Sequence, residues 1–315
     1  VILAFGNADT YRIGATDYFG VGTLGGETIP VAEVQDAIEG FMDGWWSGYQ
    51  NGGGRSENPR AHLTIAAGIN NWDLCNLRSS PCNYGFNMPR EHGIRWAKMV
   101  DDLRKTISNR QYQSRLEISA ALDSEYRWGR PYITRNWVDG YVGYFSTPTV
   151  AVPLYNFGAC EDCGVGAPWG STPPVFTKLS LTNDEAQYRN NKYAWTLEDG
   201  LYVSWSPPYL APVPEIYNEV GAHAWQWATL SKYSADTNPQ KGKIVFSGVL
   251  TNWKACEGLN CTGFKNAPER GWIQLFDTLF QYSAIRLNYI PWLSDMQYQD
   301  YYSRYQPVPT PVYCK

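Results

Sequence analysis

At 315 residues the chain suits one large domain or two small ones, and it is long enough to bury a core without metals or staples. Its net charge of −4 argues against nucleic acid and anionic membranes as partners, since both require a basic stripe. Charged residues are scarce, 18% against ~25% in an average soluble protein, and aromatics reach 15%; the surplus Tyr and Trp are expected on loops and surfaces, where rings stack on sugars or another protein.

Val1 to Gly6 reads as a buried strand, and a strand at residue 1 with no initiator Met predicts a processed, exported chain. A helix is expected from about Val31 to Trp46, with Val34, Ala37, Ile38, Phe41 and Trp45 at helical spacing. The second strand, Leu63 to Ile69, runs into the loop Asn70 to Asp73. Pro89 starts a long helix whose buried stripe is Trp96, Val100, Leu103 and Ile107. A third strand, Leu116 to Glu125, precedes a helix from Ile133 to Phe145 and a fourth strand from Val150 to Tyr155. Beyond a Pro-rich loop, a polar helix from about Asn183 leads to a fifth strand, Leu201 to Trp205. Pro214 to Tyr217 reads as a short helix start, Ala222 to Trp227 as a sixth strand and Ile244 to Leu250 as a seventh. A helix follows from Trp272 to Gln281, carrying Phe276, Leu279 and Phe280; Ile285 to Ile290 is the best candidate for an eighth strand. This alternation predicts an α/β fold, a (β/α)8-type TIM barrel that is irregular or has fewer than eight clear strands. The barrel is expected over residues 1–300, with a Pro-rich arm or linker over 301–315.

Six of seven cysteines form close pairs in Gly-, Asn- and Pro-rich loops: Cys75 with Cys82, Cys160 with Cys163, and Cys256 with Cys261. Short disulfides that pin long loops, in an oxidising compartment outside the cell, are the favoured reading. The zinc alternative rests on the CxxC at Cys160, but a zinc ribbon wants a second matching CxxC. Cys314 is left over, free or paired with another chain. Asn260-Cys261-Thr262 is a glycosylation sequon. His62, His92 and His223 show no metal spacing, and His62 and His223 read as core or strand-end residues. No metal or cofactor is expected: Walker, dinucleotide and nucleophile-elbow patterns are missing, and Gly52 to Gly54 is a turn with no phosphate-binding helix start after it.

The third strand is the most informative. Leu116, Ile118, Ala120 and Leu122 form an apolar face suited to lie under helices, so Glu117, Ser119, Ala121, Asp123 and Glu125 face the barrel interior. Asp123 and Glu125 therefore stand side by side at the carboxyl end of a barrel strand, where barrel active sites lie. Two close carboxylates do not both ionise cheaply, so one tends to keep a proton and act as a general acid. Glu125, nearer the mouth, is the expected acid, with Asp123 orienting or stabilising. A solvated or amide-bonded strand end is the bland alternative, since a lone DxE arises often by chance. Asp73, Glu161 and Asp162 follow strands too, as loop acids more often solvated than catalytic.

Leu122-Asp123-Ser124-Glu125 resembles the acidic strand end of glycoside-hydrolase barrels, closest to family 25 lysozyme-like enzymes and related glycoside-hydrolase-like domains of unknown function. Trp205 and Ala224-Trp225-Gln226-Trp227 are similar to the aromatic strand ends of that group. The resemblance implies cleavage of an N-acetylated polysaccharide, peptidoglycan- or chitin-like, with the substrate acetamide assisting. It implies sugar stacking at Trp128, Trp205 and Trp225, with Tyr126 and Tyr155 as further substrate contacts. It also implies acids on the first and last strands; Asp9 meets the first, whereas the strand from Ile244 to Thr251 ends without one. The chitinase pattern DxxDxDxE is not met, because Ile118 and Ala121 occupy its earlier acid positions.

Two functions follow. One is an extracellular glycoside hydrolase. The other is a catalytically silent barrel, a carbohydrate-binding or structural subunit of an extracellular filament or surface layer, joined through aromatic surface, tail or Cys314.

Overall fold

The computed structural model describes residues 1–13, 15–23, 27–52, 59–72, 89–126, 128–146, 150–160, 163, 195–254, 256 and 262–296. Asn183, Cys75, Cys82, Cys261, Cys314, Asn260, Asp73, Glu161, Asp162 and the tail 301–315 lie outside them. The chain divides into two compact units, Val1–Gly158 with Leu179–Ala211, and Ala159–Lys178 with Pro212–Lys315. The fold is mixed α/β, with mostly parallel strands. Among the described residues no helix is long and apolar enough to cross a membrane.

The first unit is built on the sheet β3-β2-β1-β4-β5-β6-β7. Its strands are β1 (Ile2–Ile13), β2 (Thr16–Gly22), β3 (Thr28–Pro30), β4 (Leu63–Asn70), β5 (Leu116–Asp123), β6 (Leu154–Asn156) and β7 (Leu210–Pro212). β1, β4, β5 and β6 are parallel and lie side by side in chain order, while β2 and β3 fold back antiparallel on β1. The first strand thus outruns its expected length: its parallel register with β4 shifts between Ala4 and Asn7, and beyond Asn7 it continues only as a hairpin with β2. Gly6 makes this irregularity at a φ of 122°, where a Cβ would stand 2.3 Å from the Gly22 carbonyl oxygen. Only glycine fits there.

The helices of this unit are α1 (Val31–Asn51), α2 (Arg90–Asn109), α3 (Pro131–Tyr144) and α4 (Leu197–Ser204). On α2 the predicted stripe of Trp96, Val100, Leu103 and Ile107 is buried. On α1 the buried residues are Val34, Ile38, Met42 and Tyr49, whereas Phe41 is exposed; the stripe runs i, i+4 and leaves Ala37 outside. α2 and α3 approach closely through two glycines. A Cβ on Gly93 would meet the Trp137 carbonyl oxygen at 2.1 Å, and one on Gly140 the Arg90 carbonyl oxygen at 2.0 Å. Gly93→Ala or Gly140→Ala is therefore expected to cost about 3 kcal/mol in urea unfolding, because backbone rather than a side-chain tip must give way. A loss under about 0.5 kcal/mol would show that the two helices do not touch this way.

His92 joins these helices to the sheet. Its Nε2 donates to the Gly20 carbonyl at 2.8 Å, and its Nδ1 accepts from the Trp137 indole at 3.0 Å. A carbonyl only accepts and an indole N–H only donates, so one neutral tautomer is fixed. Complete burial lowers its pKa to about 4.

The segment Leu201 to Trp205, expected as a strand, is the second half of α4 with its C-cap residue. Thr196 starts this helix with a reciprocal capping box: its hydroxyl accepts from the Asp199 amide at 3.1 Å, and Asp199 Oδ2 accepts the Thr196 amide at 3.0 Å. Asp199 Oδ1 also takes the Arg135 guanidinium at 2.8 Å, so the cap is tied to α3.

The second unit contains α5 (Ala222–Thr237), α6 (Pro268–Phe280) and the parallel pair β8 (Val249–Thr251) and β9 (Leu293–Asp295). Ala222 to Trp227, expected as a sixth strand, is the first part of α5; Gly221, with a φ of 85°, turns the chain into it. Pro214 to Tyr217 is not a helix start: Glu215 bridges Leu250 in parallel. The last strand falls at Leu293, not between Ile285 and Ile290. Cys160 and Cys163 form the expected disulfide, and Cys256 is also disulfide-bonded.

Candidate active site at the carboxyl ends of the parallel strands

The end of the parallel part of β1 and the carboxyl ends of β4 and β5 align three polar residues. Asn7 pairs in register with Asn70, and Asn70 with Asp123; on β6, Asn156 stands opposite Leu122. Carboxyl ends of parallel strands are where this class of sheet presents its chemistry. Below that row β5 is buried on both faces from Ile118 to Leu122, where the hydroxyl of Ser119 donates to the Ile65 carbonyl at 3.3 Å.

Asp123 is the last residue of β5, and Ser124 and Glu125 follow it as loop. The two-residue spacing still turns both acids the same way: carboxylate oxygens of Asp123 and Glu125 lie within 4.8 Å of each other. Asp123 Oδ1 is shut off from solvent and accepts no hydrogen bond. Burial pushes the Asp123 pKa up to about 7. Like charges at this separation reinforce that preference, so the pair favours a single negative charge near neutrality.

The loop is fixed from two sides. Asn71, itself buried, accepts the Glu125 amide on Oδ1 at 3.0 Å and donates from Nδ2 to the Glu125 carbonyl at 3.1 Å. On the other side Gly158 packs on Ser124, where a Cβ would stand 2.4 Å from the Ser124 carbonyl oxygen. Trp128 donates its amide to the Glu125 carbonyl at 3.1 Å, closing a turn. Its indole meets Trp72 edge-on, with centroids 5.4 Å apart. Both indoles are half-buried, so the loops after β4 and β5 each bring an aromatic ring to the carboxyl ends.

The other expected site residues are more dispersed. Asp9 sits in the hairpin part of β1, accepting the Thr10 amide at 2.9 Å and the Thr28 hydroxyl at 2.6 Å. It lies outside the close carboxylate group. Tyr155 is half-buried in the middle of β6, its pKa raised by burial. Trp205 closes the carboxyl end of α4, donating its amide to Leu201 at 2.8 Å. Two residues expected to contact the substrate, Trp225 by stacking, belong to the core instead. Trp225 is 2% exposed on α5 against Tyr282, and Tyr126 is 4% exposed and stacked on Trp195 at 4.4 Å. Neither presents a ring face to solvent. His62 meets Glu117 at 3.8 Å, and His223 accepts the Tyr217 amide, its pKa lowered to about 4 by burial.

Sequence reasoning missed several polar residues at strand ends. Asn71 and Trp72 were legible only as loop. In the second unit, Glu215 and Asp295 are buried acids at parallel pairings: Tyr217 donates its hydroxyl to Glu215, and Asp295 accepts the Thr251 hydroxyl at 2.6 Å and the Trp253 amide at 3.0 Å. Thr251, the last residue of β8, pairs in register with Asp295, the last residue of β9. The apolar run Ile290 to Leu293 closed by Ser294-Asp295 was the available signal. Searches against protein-family models, curated proteins and solved structures give no match to this chain.

Proposed function

We propose that this chain is an extracellular glycoside hydrolase of (β/α)8-barrel type, cleaving an N-acetylated polysaccharide of the peptidoglycan or chitin kind with Asp123 and Glu125. The barrel reading draws on parallel strands that follow chain order, without the order reversal of a doubly wound sheet. One observation carries the activity: two carboxylates within 4.8 Å at the end of a parallel strand, one of them buried enough to hold a proton near neutrality. Glu125, past the strand end, delivers the proton to the glycosidic oxygen. Asp123 supplies that proton and, once ionised, accepts the N–H of the substrate acetamide, whose oxygen attacks the anomeric carbon as the glycosidic bond breaks; water then adds to that carbon and returns a proton through Glu125 to Asp123. Displacement by the acetamide and then by water, each with inversion, retains the anomeric configuration overall. Trp128 and Trp72 supply ring faces for the sugar chain.

The test is release of reducing ends from peptidoglycan and from N-acetylglucosamine oligomers. Cleavage of either supports the proposal, and cleavage of neither overturns it. The second reading, a silent structural or carbohydrate-binding subunit, is favoured by the exposed Tyr289, Trp292, Phe280 and Met296 of the second unit. In that case sedimentation would show assembly while both substrates stay intact.

A further inference from the structure

Asn71 is 1% exposed, and both ends of its carboxamide bond the backbone of one residue, Glu125. Its carboxamide meets Glu125 as a second strand would, one bond accepted and one donated, across 54 positions of sequence. The β5 strand pairing has stopped by then: the last β4–β5 partners are Asn70 and Asp123. The side chain of Asn71 therefore continues the ladder where the backbone no longer can. Its own amide donates to the Asp123 carbonyl at 3.2 Å, so the same residue reads both acids of the pair. The carboxamide is oriented in turn. Nδ2 reaches the Thr134 hydroxyl at 3.3 Å, and that hydroxyl donates to the Arg130 carbonyl at 3.0 Å. Gly129 closes over the group, since a Cβ there would stand 2.3 Å from the Asn71 carbonyl oxygen and 2.9 Å from Nδ2. Rotation of the amide would set donor against donor and acceptor against acceptor.

We propose that Asn71 is a positioning residue for the carboxylate pair: its carboxamide fixes the Glu125 main chain, and with it the placement of the Glu125 carboxylate beside Asp123. This rests on the hydrolase reading. Asn71 does not touch substrate; it acts through Glu125, and a displacement of about 1 Å in a reacting group is enough to lower a rate by about 100-fold.

Asn71→Asp keeps the shape but replaces the Nδ2 donor by an oxygen facing the Glu125 carbonyl. At neutral pH we expect kcat on N-acetylglucosamine oligomers to fall about 100-fold with KM within about twofold. A protonated Asp regains the missing donor, so activity relative to wild type should recover as pH falls toward 4. A residue with a merely structural part would show no such recovery. Thr134→Val, which keeps the shape and removes the hydroxyl that orients the amide, should lower kcat by about three- to tenfold at unchanged KM. It serves as the second variant if Asn71→Asp does not fold. An active wild type with full kcat in either folded variant overturns the positioning role alone. A wild type that cleaves nothing overturns the hydrolase reading first, and the two failures are thereby distinct.

Discussion

Glu125→Gln is expected to lower kcat for polysaccharide cleavage by about 1,000-fold or more while leaving the far-ultraviolet circular dichroism spectrum unchanged. Positioned proton transfer typically contributes 10²- to 10⁴-fold, and the amide cannot deliver a proton to the leaving oxygen. The substitution keeps the side-chain shape. The clamp from Asn71 holds the Glu125 backbone, not its carboxylate, so it survives the change. KM is expected within about threefold, because the lost interaction belongs to the transition state. A variant within tenfold of wild-type kcat would remove Glu125 from the chemistry.

Asp123→Asn is expected to abolish cleavage and yet make the protein more stable above neutrality. The sign follows from linkage. Asp123 titrates at about 7 in the folded chain, against an ordinary value of 3.8. Between these values the folded state binds more protons than the unfolded one, so stability falls as pH rises through the window and is flat beyond it. The full penalty above pH 7 is up to roughly 4 kcal/mol, at 1.36 kcal/mol per unit. Asn cannot ionise and escapes it, so urea unfolding at pH 8 should favour the variant by roughly 2–4 kcal/mol, and at pH 3.5 the two should agree within about 1 kcal/mol. His92 and His223, both lowered to about 4 by burial, act in the opposite sense. Their contribution is present above the ordinary value of 6.5 and is lost as pH falls from there toward 4. They are common to both proteins and cancel in the difference. Equal stability at pH 8 would mean that the buried carboxyl carries no strain worth a function.

The long periodic elements were legible because their patterns exceed several turns or pleats. α2 shows four core residues at helical spacing after Pro89, and β5 is a strand of eight residues, long enough to show its pattern. The strands β6 to β9 have three residues each, too few for a period of two to declare itself. α4 and α5 were misread for one reason. Tyr202, Val203, Trp205, Trp225 and Trp227 are strand formers by propensity, and tertiary burial overrode that preference. Thr196 with Asp199 was the counter-signal, a capping box spelled out in sequence. The phase of Asp123 and Glu125 was readable from alternation alone. Asn71 was not, because a side chain that bonds a backbone 54 residues away leaves no local pattern. Nor could alternation show that Tyr126 stacks inward on Trp195 while Trp128 stays half-exposed beside Trp72.

The most direct test follows the anomeric configuration of the first sugar released from a β-linked N-acetylglucosamine oligomer by proton NMR, within minutes of adding the wild-type protein. Attack by the acetamide oxygen and then by water inverts the anomeric carbon twice, so the β-anomer is expected to form first and then mutarotate. Initial release of the α-anomer, or no release from any N-acetylated substrate, would contradict it.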